Sequence, residues 1–117
     1  MTVPILLMAK IPVPDLETVL PFYRALIGGS PQFEAVEYGW VQLTDDLALY
    51  VPGMGGGDGV SGHDTDFHLG HPDLKDLLAR LSPLSKDAAL HDNADGSQSL
   101  EVSDPAGNRL KIMAVPA

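Results

Sequence analysis

Apolar residues along the chain first alternate with other types, then recur at helical spacing, then alternate again through three short stretches. That whole order occurs twice. "PILLMAKIPV" reads as a strand. "PDLETVLPFYRALIGG" then places Leu16, Val19, Leu20, Tyr23, Leu26 and Ile27 on one helical face, with Asp15 to cap the start and Gly28-Gly29 to end it. Pro21 removes one backbone donor inside that helix and can kink it. "QFEAV", "WVQLT" and "LALYVP" follow as three strands. The pattern restarts after "PGMGGGDGVSGHD", a glycine-rich stretch without periodicity that reads as a flexible connection. "TDFHLG" is a strand, and "HPDLKDLLARLSP" is a helix with Leu74, Leu77, Leu78 and Leu81 on one face. "DAALH", "QSLEVS" and "NRLKIMAV" complete the second set. Pro-Asp-Leu stands between strand and helix both times, at Pro14 and at Pro72. A repeat of this length indicates paired modules rather than a solenoid.

Each sheet must bury one face against its helix, and alternation sorts the side chains. In the first module Val41, Leu43, Leu47, Leu49 and Val51 form the helix-facing set, which leaves Trp40, Gln42, Thr44, Ala48 and Tyr50 on the other face. In the second, Phe67, Leu69, Leu100, Val102, Leu110 and Ile112 face the helix. Asp66, His68, Ser99, Glu101, Arg109, Lys111 and Met113 face away. A face that mixes aromatic, polar and charged groups makes a poor core and a usable binding groove.

Composition narrows the class. With 117 residues, 44% of them apolar, and no long apolar run, the chain reads as one domain without a transmembrane helix. The start lacks a basic region and a small-residue cleavage site, so no signal peptide is expected, which suits the cytoplasm. No cysteine is present, which excludes disulfides and thiolate chemistry. Seven basic against sixteen acidic side chains give a net charge of −9, a surface that repels nucleic acid and anionic membranes. No phosphate-binding glycine motif stands between a strand and a helix, and no Gly-x-Ser-x-Gly is present.

The repeated strand–helix–three-strand unit, the helix "VPDLETVLPFYRALIGG" and above all the turn and strand "DPAGNRLKI" resemble the vicinal oxygen chelate superfamily. That superfamily includes glyoxalase I, extradiol dioxygenases and bleomycin-resistance proteins. The resemblance implies an α+β fold of two βαβββ modules whose curved sheets enclose a cleft, with helices on the outer faces. Module one would span 2–52, a glycine-rich linker 53–63 and module two 64–116, within one domain of residues 1–117. A homodimer is implied as well.

In the metalloenzymes that the chain resembles, ligands come from the first and last strand of each module and are His, Glu or Gln. Counting from the motifs puts those positions at Met8, Asp66, Lys111 and Ala48, the last within one or two residues. Methionine is a weak, soft donor, alanine offers none, and a lysine ammonium is itself a cation. An Asp66–Lys111 ion pair is the expectation instead. Of the histidines in "HDTDFHLGH", only His68 shares a face with Asp66. No metal and no other cofactor is therefore expected.

The resemblance then implies a metal-free protein that binds and sequesters an antibiotic-like, aromatic or cationic small molecule, as the bleomycin-resistance branch does, with drug self-resistance as its use. Trp40 and Tyr50 would stack on rings, Gln42 and Thr44 would hydrogen-bond, and Glu101 or Asp66 would meet a positive group. Met8 and Met113 would give an adaptable floor, with His68 and Lys111 completing the wall. No catalytic residue is assigned. The alternatives are an enzyme of the same superfamily, with a displaced metal or metal-free acid–base chemistry at Glu101 and His68, and a non-catalytic dimeric module with a protein partner.

Overall fold

The computed structural model describes residues 2–117. Eight strands and two α-helices alternate in the expected order: β1 Ala9–Pro12, α1 Leu16–Ile27, β2 Phe33–Ala35, β3 Trp40–Thr44, β4 Leu47–Tyr50, β5 Asp64–His71, α2 Leu74–Leu81, β6 Ala89–Asp92, β7 Gln98–Ser103 and β8 Arg109–Ala114. Two four-stranded sheets result, in the orders β1-β4-β3-β2 and β5-β8-β7-β6. In each, the first strand pairs parallel with the last and the other pairings are antiparallel.

Local chemistry sets the helix ends. The Asp15 carboxylate accepts from the Glu17 backbone N–H at 3.1 Å, which satisfies a donor that the first turn leaves free. Gly28 closes α1 in the left-handed region at φ 73°, and its N–H returns to the Arg24 carbonyl at 2.9 Å. A Cβ at Gly28 would stand 2.5 Å from the Arg80 guanidinium, so glycine also lets α2 approach the end of α1. The helix runs on through Pro21, whose side chain is exposed. Asp73 repeats the cap on α2, accepting from Asp76 N–H at 3.0 Å.

The helices pack on each other as well as on their sheets, and one continuous apolar cluster serves both modules. Phe22 and Tyr23 of α1 meet edge to face at 5.0 Å, among Ile11, Leu49, Leu77, Leu81, Leu100 and Ile112. The shortest dimension of the molecule, 24 Å, accommodates one helix layer on one sheet layer.

Two expectations change. The sheets are open rather than wrapped around an enclosed cleft. On the faces turned from the helices, Asp66 and His68 are exposed, and Trp40, Thr44, Glu101, Lys111 and Met113 are half-exposed. The first strand is also shorter than "PILLMAKIPV" suggests. β4 begins at Leu47, opposite Ala9, so residues before Ala9 have no neighbour in the sheet. Val3, Ile5, Leu6 and Leu7 are each 74–82% exposed as a result.

The turn "DPAGN" joins the modules. Asp104 Oδ1 accepts from the N–H groups of Ala106 at 2.8 Å and Asn108 at 2.9 Å, folding the turn on itself. Its Oδ2 accepts from the Tyr23 hydroxyl of α1 at 2.5 Å. Asn108, 2% exposed, donates from Nδ2 to the Pro12 carbonyl at 2.9 Å, while its Oδ1 accepts from Gly62 N–H at 2.9 Å. Replacing Asn108 by alanine strands these buried groups. Asn108→Ala should therefore cost about 2–4 kcal/mol, against about 1–3 kcal/mol for Tyr23→Phe; urea unfolding of the variants measures both.

Candidate functional site

Strand register decides which side chains share the open face. In the first sheet Lys10, Ala48 and Gln42 form one row across β1, β4 and β3, and Pro12, Tyr50 and Trp40 form the next. Trp40 Nε1 donates to Gln42 Oε1 at 3.1 Å, and Gln42 Nε2 donates to the Thr44 carbonyl at 2.7 Å. Thr44 Oγ1 donates to Asp46 at 3.0 Å. Gln42 and Thr44, the two residues expected to hydrogen-bond a ligand, are thus partly engaged with the chain itself. Gln42 is 7% exposed.

Tyr50 is not an open platform. It is 5% exposed, because the glycine-rich segment after β4 lies on its ring. A Cβ on Gly56 would stand 2.6 Å from Tyr50 Cβ and 2.9 Å from its ring carbons, so only glycine lets this backbone come so close. The Tyr50 hydroxyl accepts from Gly59 N–H at 2.9 Å. Lys10 closes the arrangement: its ammonium lies 4.9 Å from the Tyr50 ring centroid and donates to the Gly56 carbonyl. The segment expected to be a loose connection is therefore packed against the sheet.

In the second sheet His68, Lys111 and Glu101 form one row across β5, β8 and β7, with Gly70, Met113 and Ser99 in the next. A register shift in β5 falls between Asp64 and His68. Lys111 consequently lies opposite His68, not Asp66, and the expected Asp66–Lys111 ion pair does not form. The ion pairs among the described residues on this face run elsewhere. Arg109 reaches Asp87 at 3.0 Å and Glu101 at 3.6 Å, and His91 reaches Glu101 at 3.7 Å. Glu101, expected to meet a positive ligand group, is already matched by the Arg109 guanidinium and approached by the His91 ring. Asp64 and Asp66 are exposed carboxylates on β5.

The register also fixes the uncertain position in "LALYV". Lys10 lies opposite Ala48, and His68, its counterpart in the repeat, lies opposite Lys111. Ala48 and Lys111 are therefore equivalent sites in the two modules. One presents a methyl group with 0% exposure and the other an ammonium. Met8 precedes β1 and is half-buried. Met8, Ala48, Asp66 and Lys111 thus do not fit a divalent metal, since one carboxylate is the sole strong donor among them. Among the described residues no group of three His, Asp or Glu side chains is placed to hold an ion.

Sequence reasoning missed Lys10. It shares the parity of Met8 and Pro12, so alternation alone would have put it on the open face. It also missed the Asp87–Arg109 contact, which depends on how β6 and β8 approach β7.

The fold is similar to that of several solved structures. A glyoxalase/bleomycin resistance protein from Catenulispora acidiphila superposes with a TM-score of 0.66 at 24% identity, covering 97% of this chain and 100% of that one. A lactoylglutathione lyase from Agrobacterium tumefaciens gives 0.74 at 19% identity, covering 97% and 96%. A superfamily member from Sphaerobacter thermophilus gives 0.70 at 20% identity, covering 97% and 98%. No protein-family description and no curated protein matches the chain. No helix among the described residues is long and apolar enough to cross a membrane.

Asp87 has the clearest acid-side shift on this face. Hydrogen bonds from the Ser103 hydroxyl and N–H, with help from Ser85 and Arg109, hold its carboxyl at about 2, below its ordinary 3.8. A depressed carboxyl stabilises the fold above its ordinary value, and that contribution disappears as pH falls through the folded value. The Tm gap between the wild type and Asp87→Asn should therefore be full above pH 3.8 and shrink toward pH 2, in a series of thermal melts.

Proposed function

We propose that the protein binds a flat, antibiotic-like small molecule on its open sheet faces, without a metal, and sequesters it rather than transforming it. The observation that carries this reading is the register equivalence of Ala48 and Lys111. The two positions that would serve as metal ligands in the last strand of each module hold a methyl group and a cation. The same faces keep what a ring-bearing ligand uses. Trp40 is half-exposed beside Gln42 and Thr44, Met113 is half-exposed in the second sheet, and Asp66 and His68 stand free at the strand that starts it. The net charge of −9 favours an approaching cationic group. In this reading Asp66 meets such a group and Trp40 stacks. A second copy of the chain would close the open faces into a cleft, and the cytoplasm, where a drug target would be shielded, is the proposed location.

A second reading is an enzyme with a displaced metal or metal-free acid–base chemistry at His68 and Glu101. It draws support from the likeness to the Agrobacterium tumefaciens structure described as a lactoylglutathione lyase. Metal content separates the two. Protein purified without chelators should carry far less than one equivalent of Zn, Ni, Fe or Mn; a stoichiometric metal lost on Asp66→Ala or His68→Ala would favour the enzyme.

Trp40 is the sole tryptophan, so its emission reports on the face directly. Titration with planar, cationic antibiotics should quench it and raise the Tm by mass action. Trp40→Ala should weaken binding about tenfold, the scale of one lost stacking contact, read from the Tm shift. A panel that leaves both Tm and emission unchanged would remove the sequestration reading.

A further inference from the structure

We propose that Lys10 and Tyr50 form a ligand subsite of their own, and that the glycine-rich strap between β4 and β5 fills it as an internal ligand. The inference rests on the binding role proposed above and specifies part of the ligand. The strap makes three distinct contacts there. Its Gly56 carbonyl takes the Lys10 ammonium. Its Gly59 N–H donates to the Tyr50 hydroxyl oxygen at 2.9 Å. Between those two points the bare backbone lies against the Tyr50 ring, with no room for a Cβ at Gly56 or Gly59. A flat group, with one acceptor for an ammonium, therefore already occupies a tyrosine face. An aromatic ring bearing a carboxylate or carbonyl presents the same pattern and adds ring stacking that a peptide lacks.

The strap is built to leave. Gly53, Gly55 and Gly57 all adopt positive φ, and the segment has no strand or helix of its own. It encloses its own small turn, Gly53 N–H to Gly57 O at 2.9 Å, and is pinned at its far end by Gly62 N–H to Asn108 Oδ1. Between these pins the Lys10 and Tyr50 hydrogen bonds hold it to the sheet. Lys10, Tyr50 and Asp66, with Gly59 and Val60 of the strap itself, line one cavity of about 320 Å³, within the size range of small-ligand sites. A ligand could thus present its acceptor to Lys10 and a positive group to Asp66.

Tyrosine reactivity tests the strap without any ligand. Tyr38 is 70% exposed, Tyr50 5% and Tyr23 0%, so limited nitration with tetranitromethane, mapped by peptide, should mark Tyr38 alone in the wild type. Gly56→Ala and Gly59→Ala should bring Tyr50 up toward the Tyr38 level while Tyr23 stays protected as proof of folding. Those variants should also bind 1-naphthoate about tenfold tighter, the factor recovered when a site open a tenth of the time is held open. Lys10→Met should abolish the gain, and 1-naphthylmethylammonium should show none. If Tyr23 loses protection, amide exchange in the wild type decides: 1-naphthoate should speed exchange at Gly59, whose N–H is held by Tyr50. Tyr50 still protected in folded glycine variants, exchange unmoved by 1-naphthoate, or equal binding of the two naphthalene probes would each overturn the proposal. Nitration does not depend on ligand, so a negative antibiotic panel and a fixed strap are separate results.

Discussion

The Asp104–Asn108 turn is the contact on which the arrangement of the molecule depends. Burial and the nearby Asp104 carboxylate push the Tyr23 hydroxyl well above its ordinary value, so it remains a donor. That single O–H links the helix of one module to the last turn of the other. Asn108 then spends its amide on two further segments, the end of β1 and the end of the glycine strap. Tyr23, Asp104 and Asn108 are buried, where an unmade hydrogen bond costs more than a made one contributes. The turn thus sets the position of β1, and β1 carries Lys10.

Several groups of the open face are paired within the chain. Glu101 is matched by Arg109 and His91, Gln42 by Trp40 and Thr44, and Tyr50 by the strap. Three groups expected to meet a ligand thus already have an internal partner, while Asp66 and His68 stay exposed. Such substitution keeps a polar sheet face from carrying unsatisfied groups. In the proposed binding role it would also set a threshold for an incoming molecule, so that selectivity would come from competition as much as from fit.

Most of the fold was legible in the sequence because its signals are local. Caps at Asp15 and Asp73, the glycine stop at Gly28 and strict alternation in β3, β4, β7 and β8 need no knowledge of distant residues. The inward and outward sets of both modules follow from that alternation. What failed was relational. The β5 register shift moves Lys111 from Asp66 to His68 and cannot be seen within β5 alone. The early end of β1 is decided by where β4 starts. The burial of Tyr50 depends on a segment whose composition suggests looseness, although the same missing side chains are what allow it to press on a ring.

The repeat is unequal in one respect. In the first module β3 and β4 are joined by Asp45 and Asp46 alone, whereas the corresponding connection in the second is the five-residue turn Asp104 to Asn108. The lock therefore belongs to one half, and its keyholes, Tyr23 and Pro12, belong to the other. The halves are complementary parts rather than copies. A chain assembled from two first modules would have sockets and no key, and one from two second modules would have keys and no sockets. The order of the halves is thus written into their side chains, and a gene built by repeating either half would lose the joint before it lost the fold of each module.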